Sequence, residues 1–506
     1  MLVIELTNRR SHMQYKEEKP FVQESFGFNI AEPEDIVISS KDVKQGVMYF
    51  QSYIPSLRQT GMPALTSKEK VYHTNGKEFT NVVHTFEIPC DNIDEYTDTI
   101  VYCPQCGRPL AANGVITNTL RHIPIGDIYT SLIVNRRRFR CTTPGCRYHY
   151  DCPIECKAPD HFITTQLLAY TQDLLALHVP LKVVARLTGL NKNTVKEIDL
   201  ERLKSLYTVN GEGKVLKMPE RKAKFLAIDE FKLHDGHKYA VVIIDLETGH
   251  VLHLAHGKKK ATVYEFIERV GLEWMSSVKA IACDMNSDFE EAFKEKCPHL
   301  DIVYDFFHIR KNFNDKAAAE VRKDEQRRLI EEGREDEAKA LKRTKYILTS
   351  NKKTLEKKDA EAAEGKLVSK GSELFNAPEK KSTGGKAARY DKLLEDNELF
   401  LKMEVIKEKL EQAYKMTNTD EMGREINEIM EICRETSNKH FCWFANLLKT
   451  HYEGIVSHAR HHISTNRLEG FNNAIKTERR QSYGFPDDEY FFLRLIDRSR
   501  MRKNFS

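Results

Sequence analysis

The chain lacks a long apolar run. No window in its 506 residues approaches the roughly 18 uninterrupted apolar residues of a membrane-crossing helix, so a membrane span is not expected. Its start, MLVIELTNRRSHMQYKEEK, has neither an extended hydrophobic stretch nor a small-residue cleavage site, which argues against a secretory leader. Both absences point to the cytoplasm. Net charge is scarce as well, only +4. Charge alone does not announce a nucleic-acid binder, and any such surface must be local. No internal repeat stands out.

What the chain does have is length and clustered cysteine. It is too long for one core, so two to four domains are expected. A hydrophobic content of 40% and a charged content of 30% fit a soluble protein. Six of the eleven cysteines (Cys103, Cys106, Cys141, Cys146, Cys152 and Cys156) fall within 54 positions. In a long cytosolic chain such clustering suggests metal more than disulfides. Cys103 and Cys106 form C-x2-C; Cys141 and Cys146 form C-x4-C, with 34 residues between the two pairs. Two short-spaced pairs can each grip one side of a tetrahedral zinc ion, and Pro104 and Gly107 suit the tight turn this needs. Four protein ligands make a closed, structural site. Cys152, Cys156 and His149 stand as alternatives for the second pair.

Along the chain the character changes several times. DIVISS, VMYFQSYI and NVVHTFEI, all before residue 95, read as short strands without a motif. From Phe162 the apolar spacing becomes helical. In LKVVARLTGLNKNTVKEI, Ala185, Gly189 and Val195 have the A-x3-G-x5-V spacing of a helix-turn-helix. A second helix starting near Asn191 would present Lys192, Asn193, Thr194 and Lys196 to a major groove. The competing reading is an ordinary helical hairpin. After a linker with two glycines, short apolar runs and helices alternate from Lys222 to His308, which predicts an α/β sheet. From about Asp315 to His440 the chain is rich in strong helix formers with interleaved Glu and Lys, and reads as a helical insertion that could be removed without touching the sheet.

Two aspartates interrupt the apolar runs: Asp229 in FLAIDEF and Asp284 in AIACDM. A charge in a buried strand costs several kcal/mol unless it is paired or holds metal. Two at equivalent strand ends suggest a shared site for two magnesium ions about 4 Å apart, converging on a phosphate. Glu469, in RLEGFNNAIK, is the candidate third carboxylate. Asn466, Arg467, Asn472, Asn473 and Lys476 around it are candidates for nucleic-acid backbone contact. Asp235 and Asp245 read as solvated turn residues and Glu230 as a further acidic neighbour. Asp288 is a candidate support for Asp284, and His308 is either an orienting partner or an interior histidine. Glu478, further along the same helix, is expected to tolerate neutralisation.

In this order the blocks resemble the ISL-three-type transposases of bacterial insertion sequences. The resemblance covers about residues 100 to 500. It is carried by CPQCG…CTTPGC, LKVVARLTGLNKNTV, AIDEF, ACDMN, YDFFHIRKN and RLEGFNNAIK…YGF. It implies a multidomain α/β chain: an N-terminal extension of unknown role (1–95), a zinc ribbon (96–157) and a helix-turn-helix DNA-binding domain (158–212). A ribonuclease-H-like catalytic core (220–314 and 441–500) would follow, interrupted by the helical insertion (315–440). It also implies a DDE enzyme with Asp229, Asp284 and Glu469 as the metal-binding triad, two Mg2+ or Mn2+ ions, and structural Zn2+ on Cys103, Cys106, Cys141 and Cys146. The implied partners are terminal inverted repeats and target DNA, bound by a homo-oligomer. A transposase-derived DNA-binding protein and a related structure-specific nuclease are the alternatives. Two departures are the long extension before the ribbon and HGKKK, with lysines from Lys258, where an arginine is expected.

Overall fold

Phe86, Ile88 and Cys90 are buried while Thr85, Glu87 and Pro89 between them are half-buried, the period of two that makes a strand. A computed structural model places this strand and describes residues 57–74, 77–92, 100–126, 128–211, 215–234, 236, 238–285, 287–365, 384–481 and 487–501, with short strand segments at 2–5, 14–17, 28–29, 51–52, 367–369 and 380–381. The chain divides into two units, Met1–Leu216 and Lys217–Ser506.

In the first unit, β1 (Ala64–Thr74) and β2 (Lys77–Asp91) form an antiparallel hairpin. β2 runs parallel to β4 (Ile128–Arg140), which pairs antiparallel with β3 (Ala111–Ile125) and, at its end, with β5 (His149–Asp151). Phe86, Ile88, Leu120, Leu132 and Val134 are the core of this sheet. Strands on both sides of residue 95 are therefore hydrogen-bonded in one sheet, and the boundary expected there runs through it. NVVHTFEI lies in β2; DIVISS and most of VMYFQSYI lie outside the described residues.

Three helices follow. The Thr164 side chain caps α1 (Thr165–Ala176), accepting from the Leu167 N–H at 3.3 Å. α2 (Leu181–Thr188) ends at Gly189, whose φ of 72° is left-handed. A Cβ there would also meet the Tyr129 ring at 2.8 Å, so only glycine fits. Asn191 caps α3 (Lys192–Tyr207), accepting from the Asn193 N–H at 2.9 Å. Val184, Val195 and Ile198 are fully buried between the helices.

The second unit is built on a five-stranded sheet in the order β8-β7-β6-β9-β10. β6 (Phe225–His234), β7 (Lys238–Asp245) and β8 (Val251–His256) are antiparallel; β9 (Ala280–Cys283) and β10 (Asp301–Tyr304) run parallel to β6. Leu226, Ala227 and Ile228 are all without solvent exposure, so β6 is covered on both faces, as a central strand must be. The crossovers are α4 (Lys260–Val270) and α5 (Ser287–Lys296). After β10 comes α6 (Phe306–Asn312), then a helical region whose main helices include Ala319–Glu331, Glu398–Ala413, Thr419–Glu435 and Lys439–Thr450. The unit closes with α7 (Asn466–Gln481) and α8 (Asp488–Arg500). Among the described residues no helix is long and apolar enough to cross a membrane.

The helical region is not separable from the sheet, contrary to the reading from composition. Its buried residues belong to the same hydrophobic core as Leu226, Val241, Ile281 and Ile302. The Tyr414 hydroxyl donates to the Tyr304 carbonyl at 3.2 Å, and the Tyr414 ring packs on Phe306 with centroids 5.0 Å apart. Solvent-facing Glu and Lys hid this apolar underside in the composition.

Gly454, in the short helix Tyr452–Val456, lies directly against the buried Tyr304 ring, where an added Cβ would collide. Gly454→Ala should therefore destabilise the second unit by about 1–3 kcal/mol, the usual cost of overpacking. A thermal-unfolding midpoint equal to that of the parent would show that the helix can shift without loss.

Candidate active site and metal centre

β6 and β9 are neighbours, and Ala227 pairs in register with Ala282. Asp229 and Asp284 each lie two residues beyond that pair, so they are neighbours: Asp229 within β6, still paired with Val242, and Asp284 just past the end of β9. The Asp229 carboxylate accepts from the Glu230 N–H at 2.8 Å and from the Asn472 side-chain N–H at 2.7 Å. Asp284 accepts from the Met285 N–H at 2.6 Å, and His308 Nδ1 lies 3.2 Å from its Oδ1. His308 is thus an orienting partner of Asp284.

Burial pushes the Asp229 carboxyl above its ordinary pKa. Bonds from Glu230 and Asn472 and the nearby His308 oppose the rise, and the charge of Asp284 adds to it. Glu230 is raised too, first by burial and then by Asp229 and Asp284, against Lys258. Carboxylates crowded in this way leave an anionic field that a divalent cation would relieve. The buried Oε2 of Glu230 and Oδ1 of Asn472 have no hydrogen-bond partner among the described residues. Acceptor-only oxygens are the donor set that Mg2+ takes.

Glu469 arrives on α7. Its half-buried carboxylate has no partner among the described residues. It precedes Asn472 by three positions, which puts the two on one face of the helix. Contacts to β6, to the turn after β7 and to Asp305 hold that helix. Asn472 reaches Asp229, Arg479 donates to the Lys232 carbonyl of β6 at 2.9 Å, and Arg467 donates to the Glu247 carbonyl at 2.8 Å. At the N-terminal end, the buried Asp305 carboxylate accepts from the Thr465 N–H at 2.5 Å and from its hydroxyl at 3.0 Å. The other Asp305 oxygen caps α6 through the Phe307 N–H at 2.7 Å. Nothing in ISTN signals this partnership, which only proximity creates. The three carboxylates are not gathered to within 4.8 Å of one another.

Of the residues expected to contact nucleic acid along α7, Arg467 and Lys476 are exposed, Arg467 donating to the Glu247 carbonyl, and half-buried Asn472 donates to Asp229. Two acidic readings are corrected. Asp245 is 2% exposed and accepts from the Glu247 N–H and the Thr248 hydroxyl, both at 2.8 Å. Glu478 is 3% exposed and pairs with Arg494 at 2.8 Å and with Arg498, so it is no solvated charge. Asp235 lies outside the described residues.

In the first unit the Sγ atoms of Cys103, Cys106, Cys141 and Cys146 all lie within 4.8 Å of one another. Cys103 and Cys146 are 3.7 Å apart, Cys106 and Cys141 3.4 Å. A tetrahedron of thiolates around zinc has edges of about 3.8 Å, so the set fits that ion. The first turn closes through the Gly107 N–H to the Cys103 carbonyl at 2.8 Å, with Gly107 at φ 67°. The Thr143 hydroxyl, followed by the Arg108 backbone and the neighbouring cysteines, lowers the Cys106 thiol to about 6, favouring the thiolate a metal needs. Cys152 is buried in the same small core as Cys103 and Cys141, Cys156 in the neighbouring core of the sheet, and His149 is exposed; none of them joins the set.

A family profile described as "Transposase", of the ISL-three type, matches residues 226–495, more than half the chain. The chain belongs to the ISL-three-type transposase family. Its similarity to the transposase for insertion sequence element IS1001 of Bordetella parapertussis is 26% identity over 409 residues, covering 79% of this chain and 89% of that protein. The transposase for element IS1557 of Mycobacterium tuberculosis is 27% identical over 84 residues, 17% of this chain and 19% of its own length. The matched region of this transposase-family chain spans the sheet, both aspartates, Asp305 and α7. Of the α3 residues singled out by spacing, Lys192 and Asn193 are exposed, and Thr194 and Lys196 half-buried.

The Glu478 pairing makes a test. Removing one partner of a buried ion pair typically costs about 3–5 kcal/mol. Glu478→Gln should lower the unfolding midpoint of this transposase-family chain markedly, and a midpoint within a degree of the parent would put Arg494 and Arg498 on other partners.

Proposed function

We propose that the chain cuts DNA at the ends of an insertion sequence and joins those ends to target DNA by DDE chemistry. One observation carries this reading: two aspartates at matching register positions of adjacent parallel strands, Asp229 within β6 and Asp284 just past β9, with α7 bonded to the first of them and Glu469 one turn away on the same helix face. The strand order, three antiparallel strands followed by two parallel ones, supports a ribonuclease-H-like core. Asp229, Asp284 and Glu469 would hold two Mg2+ or Mn2+ ions. When bound, these supply Lewis-acid activation of water and stabilisation of the leaving 3′ oxygen. Asn472 holds Asp229 in place, His308 orients Asp284, and Asp305 fixes the start of the Glu469 helix. The freed 3′-hydroxyl then attacks target DNA in line, with no covalent protein–DNA intermediate.

Zinc on the four cysteines would be structural. The exposed start of α3, after a left-handed glycine turn, supports a helix-turn-helix in which Lys192, Asn193, Thr194 and Lys196 face the DNA, with Lys476 beside the active site. Terminal inverted repeats and target DNA are the proposed partners of a homo-oligomer working in the cytoplasm.

Glu469→Gln keeps size and removes the charge a cation needs. Cleavage and joining should both fall by orders of magnitude while binding to end DNA persists. Near-normal cleavage would return Glu469 to an ordinary half-buried glutamate. Cutting without joining in the parent would favour a structure-specific nuclease, and binding without cutting a transposase-derived DNA-binding protein.

The zinc assignment has its own test. The purified protein should carry about one zinc per chain, and Cys106→Ser should lose it while the second unit keeps its unfolding transition. Full zinc retention in that variant would exclude the four-cysteine site.

A further inference from the structure

Consecutive phenylalanines at the start of α6 are used differently. Phe306 packs on the Tyr414 ring, with centroids 5.0 Å apart. Phe307 is 49% exposed. Successive side chains on a helix leave in different directions. The Phe307 N–H is fixed to the buried Asp305 carboxylate at 2.7 Å, so the turn that packs Phe306 inward also holds Phe307 out in solvent. The Phe307 ring meets the His308 ring edge-on, with centroids 5.4 Å apart, and His308 Nδ1 lies 3.2 Å from Asp284 Oδ1. Two short steps therefore separate this ring from a candidate metal-binding carboxylate that is itself 47% exposed.

A single exposed phenylalanine is ordinary on a protein surface. One pinned by its backbone beside such a carboxylate forgoes burial at the place where a substrate would lie. Lys311 is exposed four positions further on, on the same face of α6. It has no hydrogen bond or ion pair among the described residues. Arg310 beside it is turned to Asn351, and Asp315, the next carboxylate along the chain, is held by Lys345 at 2.9 Å. A flat ring and a cation one helical turn apart match a base and its phosphate, because every base has a π-face and every phosphate is anionic. In a duplex that face is covered by neighbouring bases. It becomes available when the base is turned out of the stack.

We propose that the Phe307–Lys311 face of α6 receives one base turned out of the duplex beside the scissile phosphate, with the base stacked on Phe307 and its phosphate on Lys311. The inference rests on the cleavage of element ends proposed above and adds to it a nucleotide subsite and a local opening of the DNA. Stacking on Phe307 offsets the cost of unpairing the base. The subsite holds any base and reads no sequence, since the ring meets a face and not an edge.

The test is cleavage, by the full chain, of duplexes from the end of the insertion sequence. F307A, F307L, F307W and K311A are compared with the parent. The ring faces solvent, so F307A should keep the parent's unfolding midpoint; if it does not, F307L, which retains apolar bulk without a flat face, is read in its place. On fully paired DNA, F307A and F307L should cut about 5- to 150-fold more slowly, the worth of one base–aromatic stack. F307W should cut like the parent. A second set of duplexes lacks a single base, each at a different position next to the cut. Where the missing base is the one that fills the subsite there is nothing to stack, and F307A should cut that duplex at the parent's rate. K311A should slow both sets alike and take about 0.9 from the slope of log affinity against log salt. F307A cutting paired DNA like the parent overturns the subsite. A defect that persists at every abasic position also overturns it and makes Phe307 a packing residue. An unchanged salt slope in K311A overturns the phosphate contact. A parent that cuts no end duplex refutes the proposed function itself, a result distinct from a parent that cuts and an F307A variant that matches it.

Discussion

The carboxylate of Asp305 is the constraint on which the candidate site depends. It sits where the last strand of the sheet becomes a helix, and it is 3% exposed. A buried carboxylate is costly unless its oxygens are satisfied, and here three protein donors satisfy it. One of them turns β10 into α6. The other two belong to Thr465, whose carbonyl accepts from the Glu469 N–H at 3.0 Å. A single side chain thereby ties the sheet to the first turn of a helix that lies 160 residues away in the chain. His308, three residues after Asp305, carries the same segment to Asp284. The turn Asp305–His308 therefore supports two of the three candidate carboxylates at once.

The electrostatics follow from that geometry. Burial raises the proton affinity of Asp229 and Glu230; the charge of Asp284 adds to both rises, and that of Asp229 to the rise at Glu230. Neutral and cationic groups are arranged against it. Asn472 donates to Asp229, His308 faces Asp284, and Lys258 lies near Glu230. They orient the carboxylates without neutralising them all, the condition for a site that accepts a cation. By contrast Glu478, one and a half turns further along α7 than Asn472, is fully paired with arginines of α8 and serves packing. The same residue type on the same helix thus has two roles, set by what lies opposite.

The long helical region works the same way at larger scale. Its exposed surface is laced with Glu–Arg and Glu–Lys pairs of little individual value, such as Arg334–Glu337 and Lys415–Glu411. Its other side is continuous with the core of the sheet. Buried Lys407 donates to the carbonyls of Leu348 and Ser350 at 2.9 and 3.0 Å and so holds a helix end against its neighbours. The region extends the second unit's core while carrying the chain from β10 round to α7.

Much of this could be read from the sequence because local chemistry decides it. The C-x2-C and C-x4-C spacing named the four cysteines that converge, since short loops with glycine at the turn leave few other geometries. The A-x3-G-x5-V spacing located the left-handed Gly189 and the start of α3 at Asn191, because both follow from backbone preference. Apolar runs broken by Asp229 and Asp284 located the two strands, because a charge in a strand is conspicuous, although only Asp284 lies at a strand end and Asp229 sits mid-strand in β6. What the sequence could not decide was everything that depends on a partner far along the chain. Asp245 looked like a solvated turn residue, Glu478 like one that tolerates neutralisation, and the helical region like a detachable insertion. Each was settled by what tertiary packing brought opposite it: a turn, two arginines, a tyrosine. A side chain's identity sets which bonds it can make, but burial and partner set which it does make, and those exist only once distant segments share one core.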